Sequence, residues 1–419
     1  MIASWWSWRS GTTRSHPEHG SETLQRRRYL RGNPLGKYVV ARKLSFFIKL
    51  THENHEIFGV DLVLCKRVIS AMLEKQRDSL VHWSWSDIAR FIKTLLASRL
   101  GRRGPFFLSH LITGRCNCNC PTCLWRDNEA YELETSVIER LYRGAKEAGF
   151  VANAIWGGEP LMRQDLGQLC HSSRENGMIT IVITNGLLLP DRAQEIGKEV
   201  HCIIVSLDYP ESKDHDSFRG MPGLFAKAVE GIEALKRMNS PKKIVINCLL
   251  HRGNENMMRQ MADLARSLGV SLWVCPAKEG ILRETGETNK EVLASRESEQ
   301  QVAKELLDLK KKGYPINNSR TYLERYLLNM TPYVCRAPFA FVTVTPEGNV
   351  TNCFNYDKPY GNVRTSPFDE IMKTWDRREV VRSTKGCWKC NNPDVVDTSY
   401  VWELRLEPSL NLLKAFLPK

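Results

Sequence analysis

The chain has 419 residues and a formal net charge of +13, with 42% apolar and 26% charged side chains. That length can bury a large core and accommodates two or three domains. The composition is that of a soluble globular protein, with no run of about 18 uncharged apolar residues to read as a membrane span. The N-terminal "MIASWWSWRSGTTRSHPEHG" lacks the apolar stretch of a cleaved signal, so a cytoplasmic location is expected. In a reducing compartment thirteen cysteines, an odd number, point to metal or redox chemistry rather than to a disulfide framework.

The first third carries most of the positive charge: residues 1–105 hold 19 Lys and Arg against 8 Asp and Glu. We expect a basic, helical N-terminal extension over 1–105. Within it "VVARKLSFFIKL" places Val40, Leu44, Phe47 and Leu50 on one helical stripe, and the tail "PSLNLLKAFLPK" repeats Leu410, Leu413 and Leu417. Basic charge beside such stripes predicts peripheral contact with an anionic membrane at its inner face. The same stripes equally fit packing on the protein's own core.

From Phe106 the pattern becomes regular. β-rich runs ("PFFLSHLIT", "ANAIW", "ITIVITNG", "CIIVSLD", "KIVINCLL", "SLWVCPA") alternate with helical stretches such as "SVIERLYRGAKEAG" and "GLFAKAVEGIEALKRM". Six strands with intervening helices predict an α/β fold with a parallel sheet, either open and doubly wound or a partial barrel, over 106–280. A charged helical bridge is expected over 281–332, a loop-rich cysteine region over 333–393 and an amphipathic tail over 394–419. In parallel βα folds the chemistry sits at the C-terminal ends of the strands. The loop "ITGRCNCNCPTCLWRD" stands directly after the first strand and packs four cysteines into eight residues.

Cys116, Cys120 and Cys123 in that loop have the spacing Cys-x3-Cys-x2-Cys, with Cys118 between them. A structural zinc usually takes four protein ligands in two pairs. Three thiolates on one short loop would instead hold three irons of a cubane and leave the fourth open. Further short segments follow at successive strand ends: "WGGEP" (Gly157, Gly158, Glu159, Pro160), "TNG" (Thr184, Asn185, Gly186), "SLD" (Ser206 to Asp208), Asn247 on the fifth strand, and "HDSFRG" from His215 to Gly220. Any one of them would pass as strand-end turn chemistry.

Together and in this order they resemble the radical S-adenosylmethionine (radical SAM) superfamily, whose fold is a partial (β/α)6 TIM-like barrel. The resemblance implies a [4Fe–4S] cluster on Cys116, Cys120 and Cys123, with the open iron chelating S-adenosylmethionine. It implies cofactor contacts from Gly157, Gly158, Glu159 and Pro160 to the methionine amino group, and from Thr184, Asn185, Ser206, Asp208 and Asn247 elsewhere on the cofactor. The sequence departs from the pattern at Thr122, where an aromatic residue usually packs near the adenine, and Trp125 is the candidate substitute. Cys118 is read as a spectator.

The C-terminal set repeats the question of metal identity. Cys335, then Gly348 and Cys353, and later Cys387 and Cys390 in "CWKC", resemble a shortened SPASM extension. Four thiolates there imply one auxiliary [4Fe–4S] cluster, against a zinc ribbon on the same ligands.

The resemblance implies an enzyme that cleaves S-adenosylmethionine to a 5′-deoxyadenosyl radical, which takes hydrogen from an unactivated carbon. Its partners would be S-adenosylmethionine and a one-electron reductant such as ferredoxin or flavodoxin. The basic N-terminal third favours a membrane lipid chain as substrate. SPASM-type modification of a peptide or protein side chain is the alternative. A zinc protein that binds nucleic acid is the reading outside enzymology, and nucleic acid is not the expected partner.

Overall fold

The computed structural model describes residues 85–102, 104–129, 131–240, 243–282, 285–352, 359–388 and 390–416. The stripe from Val40 to Leu50 and the expected ligand Cys353 lie outside the described residues.

In chain order the elements are α1 (Trp85–Arg99), β1 (Phe107–Thr113), α2 (Thr135–Glu147), β2 (Ala152–Gly157), α3 (Leu166–Glu175), β3 (Ile179–Thr184), α4 (Leu189–Gly197) and β4 (Cys202–Ser206). Then come α5 (Ser212–Arg219), α6 (Leu224–Arg237), β5 (Lys243–Leu250), α7 (Met258–Ser267), β6 (Ser271–Pro276) and α8 (Arg296–Lys311). The C-terminal part holds α9 (Ala337–Ala340), β7 (Phe341–Val344), β8 (Asn349–Thr351), β9 (Gly361–Asn362), α10 (Phe368–Lys373), α11 (Arg377–Ser383), α12 (Pro393–Trp402) and α13 (Leu406–Phe416).

The strands form one sheet in the order β6-β5-β4-β3-β2-β1-β7-β8-β9. Pairing from β6 through β1 to β7 is parallel, and β7-β8-β9 continue antiparallel. The six strands expected from sequence are therefore present as an open, barrel-like α/β sheet. Three short strands from the cysteine-rich C-terminal segment extend its β1 edge.

Alternation along each strand separates a helix-covered face from a concave one. In β5, Ile246, Cys248 and Leu250 are fully buried while Asn247 and Leu249 stay partly exposed. Register places Ser206, Asn247 and Trp273 side by side on that second face. The covering helices owe their place to apolar stripes at helical spacing. In α2 these are Val137, Ile138, Leu141, Tyr142 and Ala145, and in α6 Leu224, Ala228, Ile232 and Leu235. Each fully buried Leu or Ile contributes about 1.5–3 kcal/mol.

Three segments sit differently from the sequence reading. The expected bridge contains α8, which buries Val302, Ala303, Leu306, Leu307 and Leu309 and packs on α7, completing the helical layer after β6. The helix α1, read as part of the basic extension, is fastened to the C-terminal segment: Ser98 Oγ donates to the Phe339 carbonyl at 3.2 Å, and Arg377 Nη1 donates to the Ser98 carbonyl at 3.1 Å. The expected boundary at 393/394 falls inside α12, whose Val395, Val396 and Tyr400 belong to the main core. Beyond it α13 docks through Glu407, which accepts the N–H groups of Arg320 (2.8 Å) and Thr321 (3.0 Å). Charged heads at these positions hide contacts that only the tertiary fold supplies. Among the described residues no helix is long and apolar enough to cross a membrane.

Candidate functional site

The loop after β1 carries Cys116, Cys118, Cys120 and Cys123 as free thiols. Its entrance is held by the loop after β2. Gly158 N–H donates to the Thr113 carbonyl and Glu159 N–H to the Arg115 carbonyl, both at 2.8 Å. Side chains at the two glycines are impossible here, because a Cβ on Gly157 would lie 2.3 Å from the Thr113 oxygen and one on Gly158 2.1 Å from the Arg115 oxygen. The "GG" pair thus serves the contact between two loops.

Glu159 is fully buried. Its carboxylate accepts from Leu161 N–H (2.9 Å), Thr184 Oγ1 (2.7 Å) and Asn185 N–H (2.6 Å), tying the end of β2 to the end of β3. Burial still pushes its pKa above the ordinary carboxylate range, against those three donors. Pro160 starts the short 3-10 turn Pro160–Met162 that carries the Leu161 donor. The carboxylate is therefore a brace for the "TNG" loop, and the free acceptors near a cofactor ammonium would be backbone carbonyls of this segment.

Asn185 in turn reaches the cysteine loop. Its Nδ2 donates to Asn117 Oδ1 at 2.6 Å and lies 3.2 Å from Cys118 Sγ. Asp208, at the end of β4, is also fully buried. It accepts from Arg219 Nε (2.8 Å) and Nη2 (2.7 Å), and through its other oxygen from Leu249 N–H (2.9 Å). The Arg219 carbonyl then accepts Asn119 N–H from the cysteine loop at 2.8 Å. Buried His215 accepts Asp208 N–H at Nδ1 (3.2 Å), and burial beside Arg219 lowers its pKa to about 4.

These surroundings favour the thiolate at two of the three proposed ligands. A hydrogen bond from Cys118, assisted by Arg219 and Arg126, lowers the Cys120 pKa to about 7 against its burial. A hydrogen bond from Cys118 also lowers that of Cys116, while Cys118 itself, bonded to both, is pushed up. Burial raises Cys123. Among the described residues no three such side chains converge to grip a single ion. A cubane, which takes one thiolate per iron, asks for ligands around a volume rather than a point, and the loop's three half-buried thiols fit that demand.

Trp125 packs edge-on against Trp156 of β2 at 5.2 Å, and Trp156 Nε1 donates to Ser109 Oγ at 2.9 Å, so an aromatic pair stands beside the cysteine loop. Ser206 and Asn247 are register partners on the concave face. Asn247 Oδ1 accepts from Cys275 Sγ at 3.1 Å.

The second cysteine group gathers Cys335, Cys387 and Cys390. Cys335 N–H donates to the Cys387 carbonyl at 3.3 Å, and Tyr333 OH donates to the Cys390 carbonyl at 3.0 Å. Burial and these three thiols together push the Tyr333 phenol far up. The segment touches both edges of the six-stranded sheet. β7 pairs with β1, and Asn391 Nδ2 donates to the Ala277 carbonyl, just beyond β6, at 3.3 Å. Burial, helped by Asp394 from α12, pushes the Cys275 thiol of β6 well up.

Sequence reasoning marked "HDSFRG" without giving His215 or Arg219 a role, and passed over Asn117 and Asn119 in the cysteine loop. "HDSFRG" was the available signal for the first two. The arginine's role depends on Asp208 lying opposite, which no local spacing reveals.

Residues 111–265 match the model of the radical SAM superfamily, and residues 335–391 match that of an iron–sulfur cluster-binding domain, SPASM. Among curated proteins, the AdoMet-dependent heme synthase of Methanosarcina barkeri is 27% identical over 315 residues, 67% of this chain and 85% of the relative. The PqqA peptide cyclase of Granulibacter bethesdensis is 27% identical over 172 residues, 40% of this chain and 46% of the relative. Among solved structures, Streptococcus suis SuiB bound to precursor peptide SuiA superposes with a TM-score of 0.55 at 16% identity, covering 80% of this chain and 83% of that one. The two matched domains imply a [4Fe–4S] cluster used with S-adenosylmethionine and an auxiliary cluster. The chain is an enzyme of the radical SAM superfamily, with a SPASM domain following its partial barrel.

Proposed function

We propose that the protein is a SPASM-type maturase, modifying an unactivated carbon of a peptide or protein side chain. The observation that carries this reading is the attachment of the auxiliary cysteine segment to both edges of the sheet, at β1 through β7 and at Ala277 beyond β6. A cluster held by those cysteines would be a second redox group fastened to the same sheet. Relatives named for a peptide cyclase and for a precursor-peptide complex support the substrate class.

Cys116, Cys120 and Cys123 would hold the cluster whose open iron takes S-adenosylmethionine, and Cys335, Cys353, Cys387 and Cys390 the auxiliary one. Bound there, these groups would supply one-electron reduction of S-adenosylmethionine and, through it, hydrogen abstraction from an unactivated carbon. The chain's own contribution is positional. Glu159 fixes the β2 and β3 loops, Asn185 and Arg219 hold the cysteine loop, and Trp125 with Trp156 sets an edge-to-face aromatic pair beside it. Ser206, Asn247 and Trp273 line the concave face where a substrate would be oriented away from bulk water.

A second reading, a heme precursor as substrate, is favoured by the heme synthase match, which spans 85% of that relative. Neither the relatives named above nor any feature of the described residues supports the membrane-lipid reading. The deciding experiment supplies the reconstituted enzyme anaerobically with S-adenosylmethionine, dithionite and either peptides encoded beside its gene or iron porphyrins bearing carboxylate side chains. A mass change in a peptide alone supports the maturase reading, and a mass change in the porphyrin alone overturns it in favour of the second.

A further inference from the structure

The cysteine loop of the auxiliary site is approached by a surface that the mechanism above does not use. Helix α11 runs from Arg377 to Ser383, and Val380 on its inner side is fully buried. On the opposite side Arg378, Val381 and Arg382, spaced three and four apart, share one outward stripe. Val381 is 49% exposed, a large apolar side chain left in water between two arginines. Glu379 projects about 100° away from Arg378 around the helix and lies off that stripe.

The chain then turns straight into the ligand loop. Thr384 N–H donates to the Val380 carbonyl, Cys387 N–H to the Thr384 carbonyl, both at 3.0 Å, and Lys385 is exposed between them. Trp388, between Cys387 and Cys390, is 37% exposed, and Val334, beside Cys335, is 49% exposed. Residues 373–390 carry six basic side chains against two acidic ones. None of Arg378, Arg382 and Lys385 forms an ion pair with a described residue.

We propose that this face, Arg378, Val381, Arg382, Lys385 and Trp388, docks a small acidic one-electron carrier protein. The inference rests on the reading of Cys335, Cys387 and Cys390 as auxiliary cluster ligands. Charge complementarity selects the partner: an apolar centre rimmed by exposed cations fits an anionic protein surface and speeds its encounter. Position selects its chemistry, because the exposed indole of Trp388 and the exposed side chain of Val334 stand next to ligand cysteines in the chain. One electron crosses from the reduced carrier, which is oxidised, to the group held by those cysteines, which is reduced, and no atom is exchanged.

The test measures binding of flavodoxin to the full-length reconstituted chain by calorimetry at low and raised salt. The patch variant is Arg378→Glu/Arg382→Glu/Lys385→Glu, and the control is Lys311→Glu/Lys312→Glu at the C-terminal end of α8. Metal content is read first, since zinc without iron at the C-terminal cysteines would overturn the cluster assignment itself, independently of docking. With iron present, the patch variant should bind flavodoxin at least about tenfold more weakly and with a shallower salt dependence, while the control binds as the unaltered chain does. Release of 5′-deoxyadenosine driven by dithionite should be the same in all three. Equal binding by patch variant and unaltered chain would overturn the proposal. So would a loss of dithionite-driven peptide turnover in a normally folded patch variant, which would assign the face to an acidic substrate peptide.

Discussion

The Glu159 carboxylate accepts the backbone N–H of Asn185 at 2.6 Å, joining the ends of β2 and β3 beneath the cysteine loop. Its other oxygen takes Leu161 N–H and the Thr184 hydroxyl, so all three contacts are donors into one buried acceptor. Glu159→Gln replaces one acceptor oxygen with an NH2 group that faces a donor. The expected cost is about 1–3 kcal/mol, read as a lower urea midpoint. Iron retention should fall with it, because Asn185 loses its anchor. A midpoint unchanged from the unaltered chain would show that the brace is dispensable.

Arg219 and Asp208 form the second clasp, with side-chain exposures of 11% and 0%. Arg219→Met should destabilise the chain by about 3–5 kcal/mol, since it strands a buried carboxylate. Adding Asp208→Asn should recover much of that loss. A double-variant cycle with no coupling would contradict the pairing.

The two glycines of the β2 loop give a steric prediction. Gly157→Ala and Gly158→Ala drive a methyl group into backbone oxygens at 2.3 and 2.1 Å. Gly313, which has a φ of +77° and nothing within 4 Å of an added Cβ, is the control. Gly313→Ala should cost about 1–2 kcal/mol for its positive φ alone, whereas either loop substitution should cost clearly more and lower the iron content. Equal thermal shifts for loop and control variants would remove the close-approach account.

Asp397 of α12 accepts the Ser319 hydroxyl at 2.6 Å, and burial, reinforced by Glu407, lifts its pKa to about 7. Between about pH 4 and 7 the folded chain therefore keeps a proton that the unfolded chain has released. Stability from this group is present at the acid end and is lost as pH rises through 7. Asp397→Asn should flatten that slope, leaving the melting temperature near that of the unaltered chain at about pH 4 and above it at about pH 8. Parallel melting curves across that range would contradict the assignment.

Much of this architecture was legible before any coordinates. The runs from "PFFLSHLIT" to "SLWVCPA" are β-rich and bounded by turn residues, so all six expected strands appear where alternation placed them. The cysteine spacing and the strand-end glycines located the site because their chemistry is local. What stayed hidden depends on distant partners. β7 is four residues, "FVTV", with nothing in it to say that it would pair with β1 across more than two hundred positions. The charged helix α8 reads as a bridge because its buried Leu306 and Leu309 are outnumbered by solvated Lys and Glu. Glu159 looks like a ligand group in sequence and is a structural acceptor in the fold, a distinction made only by the three donors that converge on it.

The central claim is that two separate cysteine sets hold two separate clusters, and iron content tests it most directly. The anaerobically reconstituted chain should hold about eight irons, and Cys116→Ala/Cys120→Ala/Cys123→Ala about four, with Cys387→Ser/Cys390→Ser losing the other half. Stoichiometric zinc with little iron, or a triple variant that keeps all its iron, would contradict the account.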